Sequence, residues 1–126
     1  TGAAAWLAFT VAAGRLPTGE SLQDAFADAE RCDEIIAVGV NCSHPDEVEP
    51  VLAAARQVTG KPIVVYPNSG ETWNARTRRW EGTAALPEHR IERWLASGAT
   101  AIGGCCRVGP AEIEQIARIV GRVGSL

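Results

Sequence analysis

Residues 35–42 read Ile-Ile-Ala-Val-Gly-Val-Asn-Cys, an unbroken apolar run of strand length that stops on an amide and a thiol. Apolar residues at successive positions, with no polar alternation, mark a strand covered on both faces, as in parallel sheets packed by helices. Working outward, Ala4 to Val11, Pro62 to Tyr66 and Thr100 to Gly104 have the same character. The segments between them predict helices. The first opens at Ser21, with Asp24 three residues on as a capping pair, and runs to about Arg31 with Leu22, Ala25, Phe26 and Ala29 turned inward. The second starts from the repeated pattern Ser43 and Asp46, kinks or restarts at Pro50, and runs to Val58 with Gly60 as its stop. The third spans Pro87 to Ser97 with Ile91, Trp94 and Leu95 facing a core. The last starts at Gly109-Pro110 and buries Ile113, Ile116, Ala117 and Val120. The order βαβαβαβα predicts an α/β fold with parallel strands and right-handed crossovers. Two closures satisfy it: half of a (β/α)8 barrel, whose usual length is about 250 residues, or a small open doubly wound sheet. No Gly-x-Gly-x-x-Gly turn follows the first strand to favour a dinucleotide fold.

Composition narrows the function classes. The 126 residues are 46% hydrophobic and 21% charged with a net charge of -3, and the arginines are scattered apart from Arg76, Arg78 and Arg79. That balance belongs to an ordinary globular domain and argues against nucleic acid or membrane surfaces as partners. No apolar stretch approaches the roughly 18 to 20 residues of a membrane span, and no signal-like start is present, so a cytoplasmic location is expected. The chain reads as a piece of something longer.

Four cysteines in such a chain argue for metal or catalysis before disulfides. Cys32, at a helix end, reads as a small buried hydrophobe. Cys42, Cys105 and Cys106 are different, because Gly-Val-Asn-Cys (39–42) and Gly-Gly-Cys-Cys-Arg (103–107) both stand where a strand ends. Folds of this class place reactive groups there. Neighbouring residues of a regular strand point to opposite faces, and Gly103-Gly104 lets the backbone bend so that both sulfurs converge. Three thiols suit a catalytic zinc site with its fourth position open. A vicinal redox dithiol at Cys105-Cys106 and inert buried cysteines are the competing readings.

Three motifs together resemble one family. Gly-Val-Asn-Cys (39–42), Val-Val-Tyr-Pro-Asn-Ser-Gly-Glu (64–71) with Trp73 just after it, and Gly-Gly-Cys-Cys-Arg (103–107) followed by Gly-Pro-Ala-Glu-Ile are similar, in order and spacing, to the homocysteine S-methyltransferases. The resemblance covers nearly the whole chain and implies the C-terminal half, strands five to eight, of a zinc-containing (β/α)8 barrel, so that residues 1–126 form a partial domain whose N-terminal half is absent. It implies Cys42, Cys105 and Cys106 as zinc ligands. It also implies transfer of a methyl group from a sulfonium donor to the zinc-bound thiolate of homocysteine, giving methionine. The Pro-Asn-Ser-Gly-Glu loop is closer to the branch using S-methylmethionine or S-adenosylmethionine than to the betaine branch. Cobalamin-dependent methionine synthases share Gly-Gly-Cys-Cys but continue with Gly-Thr where this chain has Arg107-Val108. The family's first half carries an acidic residue for the homocysteine amino group, so the fragment alone is expected to be inactive.

Other residues are candidates for substrate contact: Asn41 at a strand end, Asn68, Ser69 and Glu71 in a strand-to-helix loop, and Trp73, whose indole suits a cationic donor. Each has a structural alternative as a turn former or loop anchor. Trp6 and Trp94 read as core packing, Trp80 as either role, His44 and His89 as solvated helix starts, and Arg107 as a carboxylate partner or strand-end cap. Two further functions compete with the enzyme: a non-catalytic zinc-binding half barrel that self-associates or pairs with the missing half through its open edges, and the vicinal-dithiol redox module, which strain disfavours.

Overall fold

The apolar runs form a four-stranded parallel sheet in a computed structural model of the chain, which describes residues 2–124. The strands are β1 (Ala5–Phe9), β2 (Ile35–Asn41), β3 (Ile63–Tyr66) and, after a two-stranded hairpin β4 (Thr72–Asn74) and β5 (Arg79–Glu81), β6 (Ala99–Ile102). The sheet order is β1-β2-β3-β6. Helices α1 (Leu22–Glu30), α2 (Val48–Val58), α3 (Glu88–Ala96) and α4 (Pro110–Val123) make the crossovers and the closing layer.

Registry fixes what each face of the sheet meets. Phe9 pairs with Val40, Val40 with Val65, Val38 with Ile63, and these side chains share one face. Val38, Val40, Ile63 and Val65 are fully buried there against Phe26, Val51, Leu52, Ile91 and Trp94. Phe9 meets Phe26 edge to face with ring centroids 5.6 Å apart. Trp6 lies one residue from Leu7 and so points to the other face. There it is 59% exposed, which overturns its reading as core packing. The helices cover only one side of the sheet, and among the described residues nothing covers Trp6.

Local chemistry explains the boundaries. Ser21 caps α1 as expected, its hydroxyl accepting from the Asp24 amide at 3.3 Å. Ahead of α2 the cap is His44 and not Ser43: the His44 ring accepts from the Asp46 amide at 3.3 Å, and a short 3-10 turn, Pro45–Glu47, leads into the helix. The restart therefore falls at Val48. Pro50, third in α2, breaks nothing, because the first four helical N–H groups have no partner inside the helix. In α4 the buried residues are Ile116 and Ile119, whereas Ile113 is 42% exposed and Ala117 is exposed, so the apolar stripe sits one position round from the expected one. Cys32 is half-buried, with its thiol 3.4 Å from a Glu34 carboxylate oxygen.

The long polar loop after β3 carries the hairpin, which the sequence reading leaves without structure. Its strands are three residues each, Trp73 opposite Trp80, and the turn is held by the Asn74 side-chain oxygen accepting from the amides of Arg76 and Thr77 at 3.0 and 3.1 Å. Gly39 is required where β2 passes β3, since a Cβ there would overlap the Val64 carbonyl oxygen.

Candidate metal centre

The segments that follow the C-terminal ends of β2 and β6, on either side of β3, converge, and they carry the sulfurs. Cys42 follows β2, Cys105 and Cys106 follow β6, and the three Sγ atoms lie within 4.8 Å of one another. Cys105 and Cys106 sulfurs stand 4.0 Å apart and unbonded. Cys42 and Cys105 are joined as a disulfide, with Cα atoms 5.4 Å apart. Oxidation thus links sulfurs of two strands, and the adjacent pair of the redox-dithiol reading is not the bonded one.

The backbone is specialised at both segments. Cys42 has φ of 48° and Arg107 φ of 65°, both in the left-handed region. Side chains other than glycine occupy that region at a cost of about 1–3 kcal/mol and persist there when surrounding contacts fix them. For Cys42 those contacts are present. Its N–H donates to the Tyr66 carbonyl at 3.2 Å and its carbonyl accepts from Asn68 Nδ2 at 3.2 Å. Ser43, almost fully buried, accepts from the Val11 amide at 2.8 Å and donates to the Asn41 carbonyl at 2.9 Å. Gly104 bends the other segment, and a Cβ there would overlap the Val108 side chain.

The loop after β3 ties the two cysteine segments together. The Cys105 amide donates to the Pro67 carbonyl at 2.8 Å, the Cys106 amide to Asn68 Oδ1 at 3.1 Å, and the Ser69 amide to the Cys106 carbonyl at 3.0 Å. Ser69 is 1% exposed, and its hydroxyl donates to Glu71 at 2.9 Å. Arg107 grips the same carboxylate with Nε and an Nη at 3.2 and 3.3 Å. The Arg107 hydrogen bond, then that of Ser69, hold the Glu71 carboxyl below its usual range, and Glu71 in turn raises the Arg107 guanidinium.

A hollow of about 290 Å³ opens beside Cys42, walled by Asn68, Glu71, Trp73 and Trp80 and by His44 and Glu47. Trp73 and Trp80 meet at 5.6 Å between ring centroids with planes tilted 59°. The Glu47 carboxylate accepts from the amides of Ala13 and Gly14 at 2.7 and 2.9 Å, and the His44 ring Nε2 donates to the Gly70 carbonyl at 3.1 Å. Of the candidate substrate residues, Asn68, Glu71 and Trp73 line this hollow. Asn41 lines a separate one with Ala8, Thr10 and Leu16, and buried Ser69 lines neither. Trp80, read from the sequence as core or site, lies in the site opposite Trp73, and Glu47 joins it unforeseen.

The donor set fits zinc. At a Zn–S distance of about 2.3 Å, tetrahedral thiolates stand roughly 3.8 Å apart, close to the Cys105–Cys106 spacing. Reduction of the Cys42–Cys105 bond is required to free the other two donors.

A family model described as Homocysteine S-methyltransferase matches residues 1–120. The chain is 41% identical over 122 residues to homocysteine S-methyltransferase 4 of Zea mays and 38% identical over 121 residues to selenocysteine methyltransferase of Astragalus bisulcatus. Each match covers 92% of this chain but only 36% of the relative. Among solved structures, the homocysteine methyltransferase MmuM of Escherichia coli matches in its metallated form with a TM-score of 0.73 and 32% identity, over 91% of this chain and 35% of that one. Its oxidised form matches with a TM-score of 0.72 and 30% identity, over 91% and 36%. The chain spans about a third of the length of these relatives, and with its three motifs and nearly all of its residues matched, it belongs to the homocysteine S-methyltransferase family.

Proposed function

We propose that this chain is the C-terminal half of a (β/α)8 barrel methyltransferase and carries the zinc-holding half of its active site, with Cys42, Cys105 and Cys106 as ligands. The observation that carries the reading is the convergence of these three sulfurs, within 4.8 Å, from the segments that follow β2 and β6, two strands that flank β3 in the sheet. Zinc, when bound, is a Lewis acid that lowers the pKa of a coordinated thiol toward neutrality. Three thiolates on a dication leave a net formal charge of -1, which attracts a sulfonium donor. The acceptor is homocysteine and the donor S-methylmethionine or S-adenosylmethionine. In the transfer, the acceptor sulfur forms a bond to the methyl carbon while the donor's carbon–sulfur bond breaks and its electron pair returns to the donor sulfur. The cationic donor becomes a neutral thioether and homocysteine becomes methionine.

The chain's own residues orient that encounter. The Trp73 and Trp80 indoles offer electron-rich faces to the sulfonium, beside Glu47 and Glu71 on the wall of the same hollow. Ser69, buried, acts through Glu71 by holding its carboxylate, and Asn41 faces the separate hollow beside Ala8 and Leu16. The other barrel half supplies the homocysteine amino-group contact, so the 126-residue chain holds metal without turning substrate over. The bare edges of β1 and β6 and the uncovered Trp6 face support pairing with that half or with a second copy. Metal-holding thiolates favour a reducing compartment, consistent with a cytoplasmic location, and no helix among the described residues is long and apolar enough to cross a membrane.

Native mass spectrometry of the reduced chain tests the site. One zinc per chain is expected, lost on alkylation and lost in Cys106→Ser. Zinc retained at full stoichiometry in Cys106→Ser would sink the ligand assignment.

A further inference from the structure

We propose that Asn68 is a positioning residue that sets the spacing of the cysteine ligands by bridging the two segments that carry them. The inference rests on the metal reading above and assigns to Asn68 a role apart from substrate contact. One side of the residue holds the segment after β2: its backbone N–H donates to the Ser43 carbonyl at 2.9 Å and its Nδ2 to the Cys42 carbonyl at 3.2 Å. The other side holds the segment after β6, where Oδ1 accepts from the Cys106 amide at 3.1 Å. Partners fix the amide's orientation, since a carbonyl accepts only and a backbone N–H donates only.

The side-chain type follows from this polarity. A carboxamide on one methylene carries a donor and an acceptor two bonds apart and reaches both partners. Aspartate keeps the shape but replaces the donor with an oxygen facing the Cys42 carbonyl, and alanine removes both ends. The Cys42 contact matters most, because a residue at φ of 48° relies on its surroundings to stay there. Releasing its carbonyl lets the peptide rotate and swings its sulfur out of the set. Cys106 is held on both sides by the same dipeptide, through Asn68 Oδ1 and the Ser69 amide. Its main chain is therefore placed by the β3 loop even though its side chain is exposed.

The test compares wild type, Asn68→Asp and Asn68→Ala of the full chain, after far-UV circular dichroism has shown that each folds. In the reduced proteins, zinc affinity is read by competition with a chromophoric chelator, and ligand geometry by the visible absorption of the cobalt-loaded forms. Groups that orient metal ligands typically change affinity by 10- to 100-fold. A loss in that range with shifted cobalt bands is expected for Asn68→Asp, and Asn68→Ala should fall no nearer wild type. Affinities within twofold of wild type and unchanged bands would overturn the proposal. A second, metal-free measurement separates its failure from that of the metal reading: equilibration of the Cys42–Cys105 disulfide with dithiothreitol, which takes up both sulfur atoms' oxidation and leaves two thiols. Asn68→Asp should make that bond several-fold easier to reduce, because the two segments no longer hold the sulfurs together. If wild type binds no metal but this shift appears, positioning stands and the zinc reading falls. If the disulfide equilibrium is unmoved, positioning falls even where zinc binds. Should Asn68→Ala fail to fold, the isosteric Asn68→Asp decides both measurements.

Discussion

The two faces of the sheet differ more than any other pair of regions in this molecule. On the helix side, Val38, Val40, Ile63 and Val65 are at 0% exposure beneath Trp94 and Phe26; on the opposite side Trp6 stands 59% exposed. The strands themselves do not cause the difference, since both faces are apolar and a parallel sheet of this kind is ordinarily covered twice. What differs is the number of covering layers present in residues 2–124. The helix face is a finished core that stabilises this chain, whereas the Trp6 face carries no covering helix among the described residues.

The sharpest way to break this comparison is to exchange the two tryptophans' fates. Trp94 is fully buried between α3 and the sheet, so Trp94→Ala should cost about 3–5 kcal/mol by transfer and cavity terms together, read as a lowered midpoint in urea unfolding. Among the described residues the Trp94 indole N–H has no hydrogen-bond partner, and an unsatisfied buried donor is itself costly. Trp94→Phe should therefore lose much less than Trp94→Ala. Equal losses would mean that the N–H is satisfied and the residue more than a space filler.

Trp6→Ser is the complementary change and should move the same unfolding midpoint little, within about 0.5 kcal/mol, as substitutions away from buried contacts do. Its effect should appear in association. Sedimentation velocity is expected to show less self-association in Trp6→Ser if this face pairs with a second copy as proposed above. A destabilisation comparable to Trp94→Ala would show that the Trp6 face is packed in solution and that the contrast between the faces is false.

The same contrast explains what was legible in the sequence. Apolar runs name strands because burial on the helix face demands them, and the cysteine motifs were readable because strand ends in such a fold are neighbours. Trp6 was misread since apolar character alone does not say which face a layer covers. The β4–β5 hairpin was missed because its strands, Thr72–Asn74 and Arg79–Glu81, are short and polar, and the pairing of Trp73 with Trp80 emerges only once the Asn74 turn is closed. Ser43 looked like a helix cap by spacing, but its hydroxyl is taken by Val11 of the neighbouring chain segment, a long-range contact that no local pattern records. The disulfide is likewise a matter of which sulfurs the ends of β2 and β6 bring together.

The smallest expected effect lies at the cysteine end, in the pairing of Glu71 with Arg107. Arg107 holds a left-handed backbone at φ of 65°, and its guanidinium reaches across to the β3 loop, where buried Ser69 shares the carboxylate. Because Arg107 and then Ser69 lower the Glu71 carboxyl's pKa in the folded chain, the pairing adds stability above the unfolded carboxylate's pKa. That contribution disappears as the pH falls through the lowered folded value. An exposed guanidinium makes the gain small, since solvent and salt screen such pairs. Glu71→Gln should therefore melt slightly below wild type at neutral pH and converge with it on acidification, the gap also narrowing in high salt. A gap that persists unchanged into acid would assign the loss to shape and hydrogen bonding at the loop. The carboxylate charge would then have no part in holding the two cysteine-bearing segments together.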